Sequence, residues 1–253
     1  TMPMNDQQAY LGMYDFPALH PAQEAWWVGL KGHFQAQGFS NIPVDLNRSD
    51  ADPYDIWQAP NLFFAQTCGF PLIHKLEGQV QLLGTPCYEA PGCEGAYYRS
   101  LFIARTGAIY ENLSAALPAR IALNGMDSFS GWRVLRDFVD GSSELVVSGS
   151  HAKSIDLVRE GRADIAAIDC VTHALISDVE PERLVGTQVF EQSPPAPGLP
   201  YITRADLAEA DVKAMTRAVK NAFEDSTLAA ARRSLRLAGF VFVPLSQYVR
   251  AMT

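Results

Sequence analysis

Three stretches of this 253-residue chain share one local plan: an apolar run ends, and small hydroxyl-bearing or glycine residues follow before a helical pattern begins. They are Ala65-Gln66-Thr67-Cys68-Gly69, Asp127-Ser128-Phe129-Ser130-Gly131 and Ser148-Gly149-Ser150-His151-Ala152-Lys153-Ser154. The start of a helix exposes unpaired backbone N–H groups at the positive end of its dipole. Small residues let an anion approach that backbone, and Ser or Thr hydroxyls add donors. Several such starts converging on one point can hold an oxyanion without Lys or Arg. Taken singly, each stretch also reads as helix capping, for which Ser and Thr are favoured. What sets them apart is that each follows an expected strand, where open α/β sheets place their ligands.

Other residues join these by position. His151, at an expected helix start, can donate to an anion or sit as a turn histidine. Asp169 ends the apolar run Ala163-Asp164-Ile165-Ala166-Ala167-Ile168 and can cap the next helix or meet a cationic group of a ligand. Tyr14 and Asp15 end the first expected strand, where an aromatic is either core or pocket wall. The chain has no GxSxG, P-loop, HExxH or GxGxxG pattern, and its five histidines lack metal-ligand spacing. A Cys–His catalytic pair, Cys68 or Cys170 with His151, is the one enzymatic alternative. No cofactor or metal is expected.

The net charge of −8 comes without any basic run, which argues against nucleic acid as a partner. It also opposes long-range attraction of anions, so an anion site must be built from local donors. Arg232, Arg233 and Arg236 cluster on what reads as a solvated helix face. No apolar run is long enough to span a membrane. Met2 behind Thr1 reads as a native start without an export signal, implying a cytoplasmic chain; the alternative is a trimmed mature chain, periplasmic or extracytoplasmic. Of the four cysteines, Cys87–Cys93 and Cys68–Cys93 are candidate disulfides, and a fully reduced protein fits equally.

The elements that must position these residues alternate between strand and helix, which argues for α/β layers. Strands are expected at 9–14, 61–66, 80–84, 97–105, 120–124, 144–147, 163–169, 187–191 and 200–203. Helices are expected at 21–37, 67–76, 128–139, 150–160, from about 171, and at 206–225 and 226–239. The chain can cross from one α/β unit to another near Tyr97–Arg105 and return near Thr187–Thr203. That gives residues 1–98 and 196–253 as one lobe and 99–195 as the other, each a mostly parallel sheet flanked by helices, joined by two hinge strands.

Five groups of residues, in one order, add a resemblance. They are Gln66-Thr67-Cys68-Gly69-Phe70-Pro71-Leu72; Gly92-Cys93-Glu94-Gly95 with Tyr98-Arg99-Ser100; Ser128-Phe129-Ser130-Gly131; Ser148-Gly149-Ser150-His151 with Ser154; and Ala166-Ala167-Ile168-Asp169-Cys170-Val171-Thr172. Together they resemble the phosphate/phosphite/phosphonate-binding family of ABC-transporter substrate-binding proteins, from about Ala9 to about Gly239. The resemblance implies a type 2 periplasmic-binding-protein fold that clamps a small anionic ligand between two lobes. It also implies a transporter permease as a possible partner, or a solitary sensor role, and no enzymatic activity. By the same resemblance Thr67, Ser128, Ser130, Ser150, His151 and Ser154 hold the oxyanion, Asp169 faces the organic part of the ligand and Tyr14 lines the cleft. Ser148 stands where Thr is usual, His173 where Trp is frequent and Phe70 where Tyr is common. These departures bear on the organic part of the ligand, and a sulfonate or a pyrimidine-type precursor is the alternative guest.

Overall fold

A computed structural model of the chain describes residues 7–252; the expected start at Met2 lies outside them. The chain forms two compact units. The first is the chain up to Tyr88 and again Gly198–Arg250, and the second is Glu89–Pro197 with the last few residues.

In the first unit, β1 (Gln8–Tyr10) runs into a 3-10 turn at Gly12–Tyr14. Then come α1 (His20–Ala36), α2 (Pro53–Trp57), β2 (Leu62–Gln66), α3 (Gly69–His74) and β3 (Val80–Tyr88). The second unit holds β4 (Tyr97–Tyr98), β5 (Ser100–Arg105), α4 (Leu113–Ala116), β6 (Arg120–Leu123) and a π-helical turn at Phe129–Arg133 that leads into α5 (Val134–Arg136). It continues with β7 (Glu144–Val147), α6 (His151–Arg159), β8 (Ile165–Asp169), α7 (Cys170–Val179), β9 (Thr187–Gln192) and β10 (Ala196–Pro197). The chain then returns to the first unit with β11 (Tyr201–Arg204), α8 (Glu209–Glu224), α9 (Ala229–Ser234), β12 (Leu237–Val241) and α10 (Leu245–Met252).

Each unit is built on a five-stranded sheet, ordered β1-β2-β11-β3-β12 in the first and β7-β6-β8-β5-β9 in the second. The α/β architecture with two sheets is the expected one. Within it both sheets are mixed rather than mostly parallel. β11 runs against β2 and β3, and β5 runs against β8 and β9, because both enter next to strands of opposite direction. The parallel pairs are β1–β2, β6–β7 and β6–β8.

The core of the first unit follows from helical spacing. Trp26, Trp27, Leu30 and Phe34 share one face of α1 and are almost fully buried. Trp27 stacks on Phe64 at 6.1 Å, and Phe34 meets Phe63 edge-on at 5.1 Å. Burying one such side chain is worth about 1.5–3 kcal/mol. Met215, Ala218, Val219 and Ala222 make the buried stripe of α8. In the second unit Ile103, Ile121 and Ile165 fill the sheet, with Leu113 and Leu135 on its helical cover. No helix among the described residues is long and apolar enough to cross a membrane.

Several expected elements differ. The run at 226–239 is not one helix: a 3-10 turn at Ser226–Leu228 and α9 give way to β12. Pairing with β3 and stacking of Phe240 on Phe223 at 5.6 Å favour the extended form there. The first strand stops at Tyr10, where its pairing with β2 ends. The strand expected over 97–105 breaks at Arg99, whose guanidinium donates to the Ser193 carbonyl at 2.9 Å. Within the arginine cluster Arg233 is exposed, while Arg232 donates to the carbonyls of Ala222 and Asp225, closing the C-terminal end of α8.

Candidate functional site

In the second unit β7, β6 and β8 lie side by side and parallel, so their C-terminal ends reach one edge of the sheet. The loop after β6 carries Ser128 and Ser130, the loop after β7 carries Ser148 through His151, and Asp169 ends β8 itself. One topology thus places Ser128, Ser130, Ser150, His151 and Asp169 at or just beyond the C-terminal ends of neighbouring strands.

Hydrogen bonding shows what each side chain does. Ser128 Oγ accepts from the Gly131 amide at 3.1 Å, opening the π-helical turn, and the Arg133 amide donates back to the Ser128 carbonyl at 3.0 Å. That turn replaces the regular helix expected from Ser128 and takes in one extra residue. It also presses Gly131 against Asn124, where a Cβ at Gly131 would collide with the Asn124 side chain. Ser150 Oγ accepts from the Lys153 amide at 3.1 Å, capping α6. Asp169 Oδ1 accepts from the amides of Val171 and Thr172 at 2.7 and 3.2 Å, capping α7. The capping alternative is therefore realised at each. A serine that accepts from an amide still keeps its own O–H to donate, whereas a carboxylate only accepts.

His151 joins two of the loops. Its Nε2 lies 3.0 Å from Ser130 Oγ and 3.4 Å from Asn124 Nδ2. Burial pushes its pKa down to about 4, the Ala167 carbonyl only partly opposing this. The ring is therefore neutral at physiological pH. Its Nδ1 is sealed from solvent without a well-formed hydrogen bond, as is Asn124 Oδ1. With the proton on Nδ1, Nε2 accepts from Ser130 or Asn124; with the proton on Nε2, the ring donates. Ser154 is wholly buried, 2.7 Å from Ser148 Oγ, which in turn donates to the carbonyls of Leu123 and Ser150. Ser154 therefore braces the β7–α6 loop from within. Asn124 was passed over in the sequence as the last residue of an expected strand; its place beyond β6, ahead of Ser128, is the one signal that marks it.

In the first unit β1 and β2 are parallel neighbours, and Tyr14 and Thr67 follow their C-terminal ends. Thr67 is fully buried, its amide donating to the Pro200 carbonyl at 3.1 Å. Tyr14 packs edge-on against Tyr88 at 5.2 Å, and the Tyr88 hydroxyl accepts from Gln66 Nε2 at 3.1 Å. Cys68, not Thr67, is the N-cap of α3, and it offers no side-chain cap bond.

The cysteines depart from both candidate disulfides. The sulfur beside Cys93 is that of Cys170, 3.6 Å away in the second unit, and both are reduced thiols. A Cys170–His151 catalytic pair is not formed either, since the His151 ring nitrogen meets Ser130 and Asn124. Among the described residues no cluster of His, Cys, Asp or Glu could hold a metal ion.

Comparison with known proteins matches residues 62–248 to the family described as ABC transporter, phosphonate, periplasmic substrate-binding protein. No curated protein sequence matches significantly. Among solved structures, PhnD1 from Prochlorococcus marinus in complex with methylphosphonate is similar, with a TM-score of 0.77 and 13% identity over 96% of this chain and 94% of that one. A binding protein component of an ABC phosphonate transporter from Pseudomonas aeruginosa gives 0.71 and 17% over 97% and 84%. A Xanthomonas citri protein bound to chloride gives 0.73 and 16% over 97% and 94%.

Proposed function

The chain belongs to the phosphonate family of ABC-transporter periplasmic substrate-binding proteins, and from that premise we propose that it binds the phosphorus oxyanion through Ser128, Ser130, Ser150 and His151. It is a solute-binding protein and not an enzyme. On this proposal it works outside the cytoplasm and delivers its ligand to a transporter permease.

The observation that carries the site is the meeting of Ser130 and His151 at 3.0 Å, from loops that follow two adjacent parallel strands. The mechanism needs no fixed cation. Helix α6 offers the amides at its start, with the positive end of its dipole behind them. Ser128 and Ser150 give their hydroxyl protons to the oxyanion while still accepting from Gly131 and Lys153. His151 takes the tautomer with its proton on Nε2 and donates as a neutral group, and Ser130 turns its own proton outward. Charge-assisted bonds of this kind are worth about 1.5–3 kcal/mol each. In this proposal Asp169 faces the organic part of the ligand.

Titration calorimetry with methylphosphonate, phosphite, phosphate and methylsulfonate tests the ligand class. The proposal expects saturable binding of at least one phosphorus oxyanion, at least tenfold weaker in the His151→Ala variant. Binding of the sulfonate alone overturns it.

A further inference from the structure

We propose that Cys93 and Cys170 are a built-in thiol pair that closes reversibly into a disulfide, a modification site tying the Gly92–Cys93 loop to the first residue of α7. Their sulfur atoms are 3.6 Å apart, in van der Waals contact, although the residues are 77 positions apart in sequence. A small side-chain rotation spans the remaining gap to a bond of about 2.05 Å.

Backbone bonds hold both partners at this meeting point. The Cys170 amide donates to the Arg99 carbonyl at 3.0 Å, next to the Ser100–Asp169 register of β5 with β8. The Cys93 amide donates to the Ala90 carbonyl at 2.9 Å, and a bridge between Glu94 and Tyr97 closes the turn that follows. Gly92 has φ of +101°, and a Cβ there would stand 3.1 Å from Cys170 Cβ and 3.3 Å from its sulfur. Glycine thus lets the loop lie flat on Cys170, in a backbone conformation that other residues rarely adopt.

The chemistry divides between the two sulfurs. The Cys170 thiol is held protonated well above the ordinary thiol range, first by its bond to Cys93, then by burial and by the charge of Asp169. Cys93, the more exposed of the two, is the entry point. Its thiolate attacks a low-molecular-weight disulfide and displaces one thiolate. The Cys170 sulfur then attacks Cys93 Sγ in the mixed disulfide, gives up its proton and releases the second thiolate. Two protein thiols are oxidised, one external disulfide is reduced to two thiols, and the two protons end on those products. Oxidising compartments, the bacterial periplasm among them, let such a disulfide persist.

Closure of the pair needs no ligand, and neither does its measurement. The reduced protein is incubated with oxidised glutathione, alkylated and peptide-mapped, and its melting is compared with that of the reduced form. The expected result is a Cys93–Cys170 linked peptide that dithiothreitol removes. The melting midpoint should rise by roughly 5–10 °C, as closure of a long loop predicts. The Cys93→Ser variant should show neither effect, and because Cys93 is only half-buried it tests the pair even if Cys170→Ser fails to fold. Full alkylation of both thiols after oxidation, or a link from Cys93 to Cys68 or Cys87 instead, overturns the proposal.

Discussion

Ser150 carries two jobs on one oxygen, and they separate by substitution. Ser150→Ala removes both the cap and the donated proton; phosphonate affinity should fall about tenfold to a hundredfold, with about 1 kcal/mol of stability lost as well. Ser150→Gly should keep most of the stability, since glycine caps nearly as well, yet lose the affinity. Calorimetry and urea unfolding on the two variants check this. His151 sets a pH dependence with a definite sign. The unfolded chain takes up a proton there near pH 6.5, the folded chain only near pH 4. Between those values the unfolded state binds more protons, so stability is complete above about pH 6.5 and is lost as the solution is acidified toward pH 4. The loss reaches roughly 3 kcal/mol at most. His173, also lowered by burial, adds in the same direction. In urea melts at pH 7.5 and 5, the His151→Gln variant should lose less stability than the parent.

Among the elements, the π-helical turn after β6 is the one on which the site geometry depends. Gly131→Ala should drive Asn124 off His151 and weaken ligand binding severalfold, while the wide sheet beneath keeps the fold intact; a thermal melt and a titration on one sample separate the two. This turn also marks how far the sequence could be read. The Ser-Phe-Ser-Gly spacing announced a helix start, and Ser128 does open one. The extra residue in the turn comes from Gly131 seated against Asn124, a contact between segments that periodicity does not register. The same holds for β12. Leu-Ala-Gly-Phe-Val has no local cue strong enough to outweigh the helical run before it, and its strand form rests on β3 and Phe223. Strongly apolar stretches such as Ile165–Asp169 and the amphipathic α1 and α8 were legible because burial alone decides them. Asn124 and the partnership of Cys93 with Cys170 were not, because each is a meeting of distant segments. The motif carries Ser154 over as a ligand contact; in the structure it is wholly buried, 2.7 Å from Ser148 Oγ.

For the molecule as a whole, a bound phosphonate at a hundred times its Kd should add about 2.7 kcal/mol to stability, and a thermal-shift panel should rank ligands in their order of affinity. A consequence for synthesis lies in the order of the first unit's sheet. Its middle strand, β11, comes from residues 201–204, after the whole second unit. A growing polypeptide therefore reaches the end of the second unit while the first still has an open slot between β2 and β3, with Phe64 awaiting its contact with Tyr201. Ribosome-stalled chains ending at Pro197 should show a protease-resistant 89–197 fragment and a cleavable beginning. The segment born first is the last to be finished, which gives chaperones a window to hold it.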